Sequence, residues 1–274
     1  MIITSSNLHQ ISHDLRNYIA GISSLANIIS ENISDYQAKQ KASGAKLDDK
    51  LTEALEFANM LTPHSKEALH YVDDILNSTQ IETGKFTLGE ITNCDVLLII
   101  NQLLILHQNL INEHKISIET NIENNLPTIK TDVGRLKQIL INLVTNAIKY
   151  SHIGGRVKIS AHSFKKNKTL GEKIFGLKTS EGNGISITIQ DFGIGMSAEE
   201  IAMALNGDGK KIDKSALDKE VDSHGIGMTI VKDLVALLGG EMKIESVKGK
   251  GTKIGLLLCV GGLPLREPAT KPCF

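Results

Sequence analysis

The chain has 274 residues, of which 41% are hydrophobic, and this is enough for about two domains with packed cores. A net charge of −1 and the absence of tryptophan exclude a general attraction to nucleic acid or anionic lipid. The three cysteines lack CxxC spacing, which favours free thiols in a reducing compartment over a disulfide framework or a zinc site. No apolar run approaches the length of a membrane span, so we expect a cytoplasmic chain without a membrane-embedded sensing domain.

The first predicted element is a long helix whose apolar side chains return in steps of three and four. These a and d positions of a heptad are Leu8, Ile11, Leu15, Tyr18, Ile22, Leu25 and Ile29. His13 falls at position f, outside this seam, which argues against a buried structural histidine. A metal pair with His9, four residues earlier, is an alternative, but no third ligand is nearby.

A second helix is predicted to run to about Ile81, after a turn within residues 30–50. Its seam is Leu47, Leu51, Ala54, Ala58, Leu61, Ser65, Ala68, Val72 and Ile75. Pro63 would either kink this helix or begin a new one capped by Thr62. Because two such helices cannot bury both of their faces alone, we expect a second copy to complete a four-helix bundle in a homodimer.

The next segment is predicted to mix short strands with an apolar helix. Phe86–Ile91 is predicted as a strand, Asn93 as the cap of a helix through His114, and residues 116–120 as another strand. Further on, residues 157–161 and 185–190 alternate as strands. Between and after these strands, residues 162–184 and 196–223 are polar and are predicted as long loops, which in compact domains are usually lids or disorder.

The central element is the helix predicted over residues 132–151. Its core face is Leu136, Ile139, Leu140, Leu143, Val144 and Ala147. Asn142 and Asn146 lie four residues apart, and Lys149 and Tyr150 follow within one turn, so all four can reach one pocket. Amide oxygens can share Mg²⁺ with a polyphosphate, lysine adds a charge, and tyrosine offers a face for a flat base. A surface helix with two incidental asparagines is the alternative.

Two glycine-containing turns follow the central helix. Asp191-Phe192-Gly193-Ile194-Gly195 comes directly after a strand, and His224-Gly225-Ile226-Gly227-Met228 opens an amphipathic helix. Closing strands are predicted at Glu241–Glu245 and Lys253–Leu258, around Gly249-Lys250-Gly251-Thr252. Each glycine alone would suit an ordinary turn, but together they allow the backbone to approach a bound ligand closely.

In this order, the asparagine helix and the two glycine turns resemble the N, G1 and G2 boxes of the GHKL ATP-binding fold. Residues 249–252 resemble its closing strand motif, and Ser12–Asn17 resembles the H box of sensor histidine kinases. The resemblance covers about residues 5–260. It implies an α+β chain, with a helical-hairpin dimerisation and histidine phosphotransfer domain over residues 1–85, a GHKL-type α/β sandwich over residues 86–262, and a C-terminal tail over residues 263–274.

The resemblance also implies the activity, that of an ATP-dependent protein histidine kinase. His13 would take the γ-phosphoryl group of ATP and pass it to an aspartate of a response regulator receiver domain. Asp14 would accept the other ring N–H of the histidine and fix its tautomer. Asn17 would orient water for removing phosphate from the partner's aspartate.

The nucleotide contacts that the resemblance implies are Asn142, Asn146, Lys149, Tyr150, Asp191, Gly193, Gly195, Gly225, Gly227 and Thr252. Asn146 would hold Mg²⁺ with Asn142 assisting, Lys149 would touch phosphate, Tyr150 would cover adenine, and Asp191 would accept from its exocyclic amine. Thr252 would be a secondary contact.

Asn142 also bears on the type of reaction. The hydrolytic members of the same fold carry a water-activating glutamate at this position, and an amide cannot take a proton at neutral pH, so transfer to histidine is favoured over hydrolysis. A second class stays open because Ser223 replaces the usual first glycine of the G2 box and no phenylalanine-rich box is evident before it. That class is a histidine phosphotransferase or adaptor, which relays phosphate between receiver domains without using ATP.

Overall fold

The computed structural model describes residues 5–42, 49–82, 87–164, 183–206 and 227–259. The chain divides into two compact units, residues 1–86 and 87–274. Along the described helices, none is both long and apolar enough to cross a membrane.

The first unit is a pair of helices, α1 (Ser5–Ala42) and α2 (Asp49–Glu82). Helix α1 continues well into the segment predicted as a turn, so only residues 43–48 separate it from α2. Side-chain hydrogen bonds join the helices: Ser30 donates to Asn59 (2.8 Å), and Gln37 donates to Thr52 (3.2 Å). Helix α2 is one continuous helix across position 63, so the predicted alternative of a new helix beginning at Pro63 is wrong.

The seam predicted for α1 is not the face that packs against α2. From residue 15 onward, the partly or fully buried residues of α1 form another stripe in threes and fours: Arg16, Ile19, Ser23, Ala26, Ser30, Ile33, Gln37 and Gln40. Ala26 is 1% exposed and Ala58 of α2 is 3% exposed, because small side chains let the two helices approach closely. In the predicted seam, Leu15 and Ile22 keep 44% and 48% of their surface exposed. The apolar seam is therefore left open in the single chain.

The second unit combines helices with two sheets. Its described helices are α3 (Val96–Leu106), α4 (Gln108–Glu113), α5 (Val133–Lys149), α6 (Ala198–Leu205) and α7 (Gly227–Leu237). Its described strands are β1 (Ile91–Cys94), β2 (Ser117–Ile122), β3 (Ile129–Asp132), β4 (Arg156–Phe164), β5 (Gly184–Asp191), β6 (Glu241–Val247) and β7 (Gly251–Cys259).

The larger sheet has five strands in the order β2-β4-β5-β7-β6, in which β2 and β4 are parallel and the other pairs antiparallel. Strands β1 and β3 form a separate antiparallel pair. Helices α5 and α7 pack together, and α5 also packs on β5. All six predicted core residues of α5 are buried, as are Ile230 and Leu234 of α7 and Ile187 of β5. The predicted α+β class, with a sandwich of sheet and helices, is confirmed.

Two local predictions in this unit were wrong. The first strand is Ile91–Cys94 rather than Phe86–Ile91, so Asn93 lies in β1 opposite Lys130 and does not cap a helix. The cap of α3 is Asp95, whose carboxylate accepts from the backbone N–H of Leu98 (3.1 Å). Pairing with β3 extends the backbone through Cys94, and the helix can begin only after that pairing ends.

Helix α6 lies within the segment predicted as a long loop. Ser197 and Glu200 form a capping box, in which each side chain accepts a hydrogen bond from the other residue's backbone N–H. The serine and the glutamate three residues later are the sequence signal that could have predicted this helix.

Candidate functional site

Helix α5 carries the predicted row of polar side chains. It begins after Asp132, whose carboxylate accepts from Arg135 N–H (3.0 Å), and ends at Lys149, with Tyr150 as C-cap. Asn142 is buried and Asn146 is half-buried. A Cβ added at Gly227 would lie 3.9 Å from the Cγ of Asn142. The start of α7 therefore lies beside the face of α5 that carries Asn142 and Asn146, which we call the asparagine row.

Asp191 is the last residue of β5 and is buried. Its Oδ1 accepts two hydrogen bonds, from the backbone N–H of Gly193 (3.0 Å) and from that of Thr252 (3.1 Å). Burial raises the pKa of this carboxyl from 3.8 to about 6, because desolvation outweighs the backbone donors, which favour the charged form. The site thus contains a buried acid held in a fixed orientation.

The turn after Asp191 is held between two other elements. A Cβ at Gly193 would lie 1.9 Å from the carbonyl oxygen of Tyr150, and Ile194 N–H donates to that same oxygen (3.2 Å). Gly195 has a φ of +61°, and a Cβ there would lie 2.0 Å from the carbonyl oxygen of Val247. Glycine is therefore required at both positions, by close approach at the first and by close approach and backbone conformation at the second.

The hairpin between β6 and β7 closes the site on the side of Asp191. Gly251 has a φ of +92°, and a Cβ there would lie 2.2 Å from the Asp191 carbonyl oxygen. Ser246 lies directly opposite Thr252 in the β6–β7 pair and contacts its hydroxyl at 2.9 Å. Ser246 was not among the predicted site residues, because a serine in an alternating strand carries no signal of its own.

Asp132 is a second residue that sequence reasoning did not assign to the site. Besides capping α5 through Oδ1, it accepts from the backbone N–H of Gly89 (2.7 Å) through Oδ2. One buried carboxylate therefore ties the segment that enters the second unit to the helix that carries Asn142 and Asn146.

These contacts link six of the predicted nucleotide residues: Asn142, Tyr150, Asp191, Gly193, Gly227 and Thr252. Tyr150 meets Gly193, Asp191 holds Gly193 and Thr252, and Asn142 meets Gly227. Gly225 and Ser223 lie outside the described residues. In the first unit, His13 and Asp14 are in α1 with side chains outside the described part, and Asn17 is exposed.

Helix α7 is also tied to the end of α6. Thr229 donates through its hydroxyl to the carbonyl oxygen of Ala204 (3.1 Å), and Lys232 donates to that of Leu205 (2.8 Å). These bonds hold together the two helix ends that flank residues 207–226.

Residues 131–261 match the family model of histidine kinase-, DNA gyrase B- and HSP90-like ATPases. This part of the chain has the GHKL-type ATPase fold. The match contains α5, the turn after Asp191, the start of α7 and the β6–β7 hairpin, which are the elements that build the site. The predicted relation to this ATP-binding fold is confirmed.

The sequence relatives of the ATPase domain and of the helices before it are histidine kinases. The autoinducer 2 sensor kinase/phosphatase LuxQ of Vibrio vulnificus is 28% identical over 92% of this chain and 26% of its own length. The cell-division control histidine kinase PdhS of Brucella suis is 26% identical over 91% of this chain and 22% of its own length. The predicted resemblance to sensor histidine kinases is confirmed, and the chain spans about a quarter of the length of these curated relatives.

Solved structures share the fold of the ATPase domain and the helical unit. Full-length ShkA in complex with AMPPNP matches 96% of this chain and 48% of its own, with a TM-score of 0.63 and 22% identity. Acinetobacter baumannii histidine kinase AdeS matches 84% of this chain and 95% of its own, with a TM-score of 0.51 and 18% identity.

Proposed function

We propose that the chain is an ATP-dependent protein histidine kinase, which phosphorylates its own His13 and passes the phosphoryl group to an aspartate of a response regulator receiver domain. The observation that carries the proposal is the buried Asp191, whose Oδ1 is held by two backbone donors within a GHKL-type ATPase domain. Similarity to histidine kinases along more than nine-tenths of the chain supports the coupling of this domain to His13.

Asp191 would select adenine. With Oδ1 held by Gly193 and Thr252, its other oxygen would accept from the exocyclic amine of the base. A guanine carbonyl in that place would face a like-charged acceptor and lose affinity. The backbone carbonyl of Tyr150 lies against the Asp191 turn, and the ring of this residue would cover the base.

Asn146 and Asn142 would hold Mg²⁺, and Lys149 would contact phosphate. No cluster of three or more histidine, cysteine or acidic residues that could hold a metal occurs among the described residues. A cation here would therefore take its ligands from amide and phosphate oxygens, which suit Mg²⁺. Gly227 fits this role because, with no side chain, it leaves room beside the Asn142 amide. Bound Mg²⁺ would neutralise charge on the polyphosphate.

The absence of a carboxylate at Asn142 favours transfer to a protein side chain over hydrolysis, because an amide cannot deprotonate water. An unprotonated ring nitrogen of His13 would attack the γ-phosphorus. A nitrogen–phosphorus bond forms as the bond to the bridging oxygen breaks, and ADP leaves with the electron pair. Asp14 would accept the other ring N–H and hold the histidine in the reactive tautomer.

The helical unit would form a homodimer through the open seam of α1. Leu15, Tyr18, Ile22 and Leu25 are 44–73% exposed, although they form a regular apolar stripe. A second copy can bury this stripe in a four-helix bundle. We place the dimer in the cytoplasm, which the free thiols of Cys94 and Cys259 support.

Asn17 would assist the removal of phosphate from the aspartate of the response regulator. It lies one helical turn after His13 in α1, and its side chain is exposed. An amide there could orient water for removing phosphate from the partner's aspartate. The name of the LuxQ relative, a sensor kinase/phosphatase, agrees with this role.

The decisive experiment is incubation with γ-labelled ATP and Mg²⁺, followed by tests of label stability in acid and base. We expect an acid-labile, base-stable label on wild type and on His9→Gln, the matched control from the same helix, but none on His13→Gln. Asn146→Asp should retain His13 yet remain unlabelled.

The alternative function, a histidine phosphotransferase, gives the opposite pattern. Its His13 would be labelled only by a phosphorylated receiver domain, and Asn146→Asp would leave that relay unchanged. Strong relay without labelling from ATP at any Mg²⁺ concentration would overturn the kinase proposal.

A further inference from the structure

The hydroxyl of Ser246 makes three hydrogen-bond contacts at the edge of the Asp191 site. It lies 2.7 Å from the backbone nitrogen of Met196, 3.1 Å from the carbonyl oxygen of Gly251 and 2.9 Å from the hydroxyl of Thr252. Distance alone does not say which of the two hydroxyls donates in the last contact. The other two contacts decide it.

A hydroxyl group has one hydrogen to donate and two lone pairs to accept with. The backbone N–H of Met196 can only donate, so it uses one lone pair of Ser246. The carbonyl oxygen of Gly251 can only accept, so it takes the one hydrogen of Ser246. The remaining lone pair accepts from Thr252, and the hydroxyl of Ser246 is then fully satisfied.

This arrangement fixes what the Thr252 hydroxyl can offer to a ligand. Its hydrogen is directed at Ser246, and within the described part of the chain the hydroxyl has no other hydrogen-bond contact. Its oxygen therefore presents lone pairs only. The backbone N–H of Thr252 is bonded to Asp191 Oδ1, so the residue that carries this acceptor is held against the carboxylate.

We propose that Ser246 is a specificity-determining residue, which holds the Thr252 hydroxyl as an acceptor so that the Asp191 site selects a purine with an amino group at C6 over one with an oxo group at C6. The inference rests on the proposed adenine nucleotide site. Two adjacent acceptors match an exocyclic amine, which has two hydrogens to donate. If Ser246 no longer accepted from it, the Thr252 hydroxyl could rotate and donate to the carbonyl oxygen of guanine.

The test measures dissociation constants of non-hydrolysable ATP and GTP analogues with Mg²⁺ on the full chain. Ser246→Ala should lower the ATP-over-GTP preference by about tenfold, the effect of one misdirected hydrogen bond. Ser246→Thr, which keeps a hydroxyl, should retain the wild-type ratio. Ser160→Ala, a half-buried serine of β4, is the matched control and should also retain it.

A double-mutant cycle separates this role from simple support of the fold. In a Thr252→Val background, Ser246→Ala should leave the ATP-over-GTP ratio unchanged, because the hydroxyl that it releases is gone. If Ser246→Ala does not fold, Ser246→Cys serves instead, since a thiol is a weak donor and acceptor and should shift the ratio in the same direction.

The outcomes distinguish this inference from the proposed function. A wild-type chain that prefers ATP while Ser246→Ala weakens both nucleotides equally would overturn the role of Ser246 alone. The same ratio change with and without the Thr252 hydroxyl would also overturn it. A wild-type chain that binds neither nucleotide, or both equally, would overturn the adenine site and this inference together.

Discussion

Gly193 lies so close to Tyr150 that a Cβ added to the glycine would be 1.9 Å from the tyrosine carbonyl oxygen. The contact joins the turn after Asp191 to the end of α5, so it holds the carboxylate in place relative to the asparagine row. Both partners in the contact are backbone, and neither can move aside by changing a rotamer.

We expect Gly193→Ala to lower the free energy of unfolding of the ATPase domain by about 1–3 kcal/mol, as overpacking does, and to abolish ATP binding. Gly21→Ala in helix α1 is the control, because a Cβ there would have nothing within 4 Å and the helical backbone accepts alanine. Denaturant unfolding and nucleotide titration measure the two effects. Full ATP binding by a folded Gly193→Ala variant would contradict the geometry.

The raised pKa of Asp191 predicts that stability falls with rising pH in the unliganded chain. An acid whose folded-state pKa is about 6, against 3.8 ordinarily, binds protons more tightly when folded. The protonated carboxyl adds about 3 kcal/mol to the free energy of unfolding at pH values below about 4. This stabilisation is lost as pH rises to about 6. Asp191→Asn should remove this slope, as measured by urea unfolding from pH 4 to 7. A wild-type slope equal to that of the variant would refute the assignment.

The same carboxyl predicts the opposite dependence for ATP binding. The exocyclic amine needs an ionised acceptor, so affinity should increase as pH rises through about 6, where Asp191 loses its proton. Calorimetric measurement of ATP binding to wild type and to Asp191→Asn at each pH isolates this effect, because protonation of the nucleotide itself affects both proteins equally. No difference in pH dependence would exclude Asp191 as the acceptor.

The two hydrogen bonds of Asp132 predict a larger cost of truncation than an ordinary helix cap. Asp132→Ala removes both the cap of α5 and the bond to Gly89 and should cost about 2–3 kcal/mol. Asp95→Ala removes a single capping bond to Leu98 in α3 and should cost about 1 kcal/mol. ATP affinity should fall only with Asp132→Ala, because α5 carries the proposed Mg²⁺ ligands. Equal costs for the two variants would show that the bond to Gly89 contributes nothing.

The open seam of α1 predicts that dimerisation can be broken without separating α1 from α2. Leu15→Asp combined with Ile22→Asp places charges on the exposed stripe and should halve the mass measured by light scattering at micromolar concentration. Ser24→Asp combined with Asn27→Asp, at exposed polar positions of the same helix, should leave the mass unchanged. A monomeric wild-type chain would end the four-helix-bundle proposal.

The periodicity of apolar residues in the sequence by itself determined which faces of several helices and strands are buried. The spacing of Leu136, Ile139 and Leu143 determines which face of α5 is buried, and the row from Asn142 to Tyr150 follows on that same helix. The alternation of β5 similarly leads to Asp191 at a strand end. These features depend on residues close together in the chain, where helix and strand repeats determine which side chains share a face.

Only the tertiary structure decided which residues meet across the sequence. Helix α1 has two regular stripes, and packing at Ala26 and Ala58 determines which of them faces α2. The hydroxyl of Ser246 accepts from the backbone N–H of Met196, fifty residues away in the chain. Nothing in a local pattern encodes such pairings, because each depends on how distant elements pack and on every polar group satisfying its hydrogen bonds in that packing.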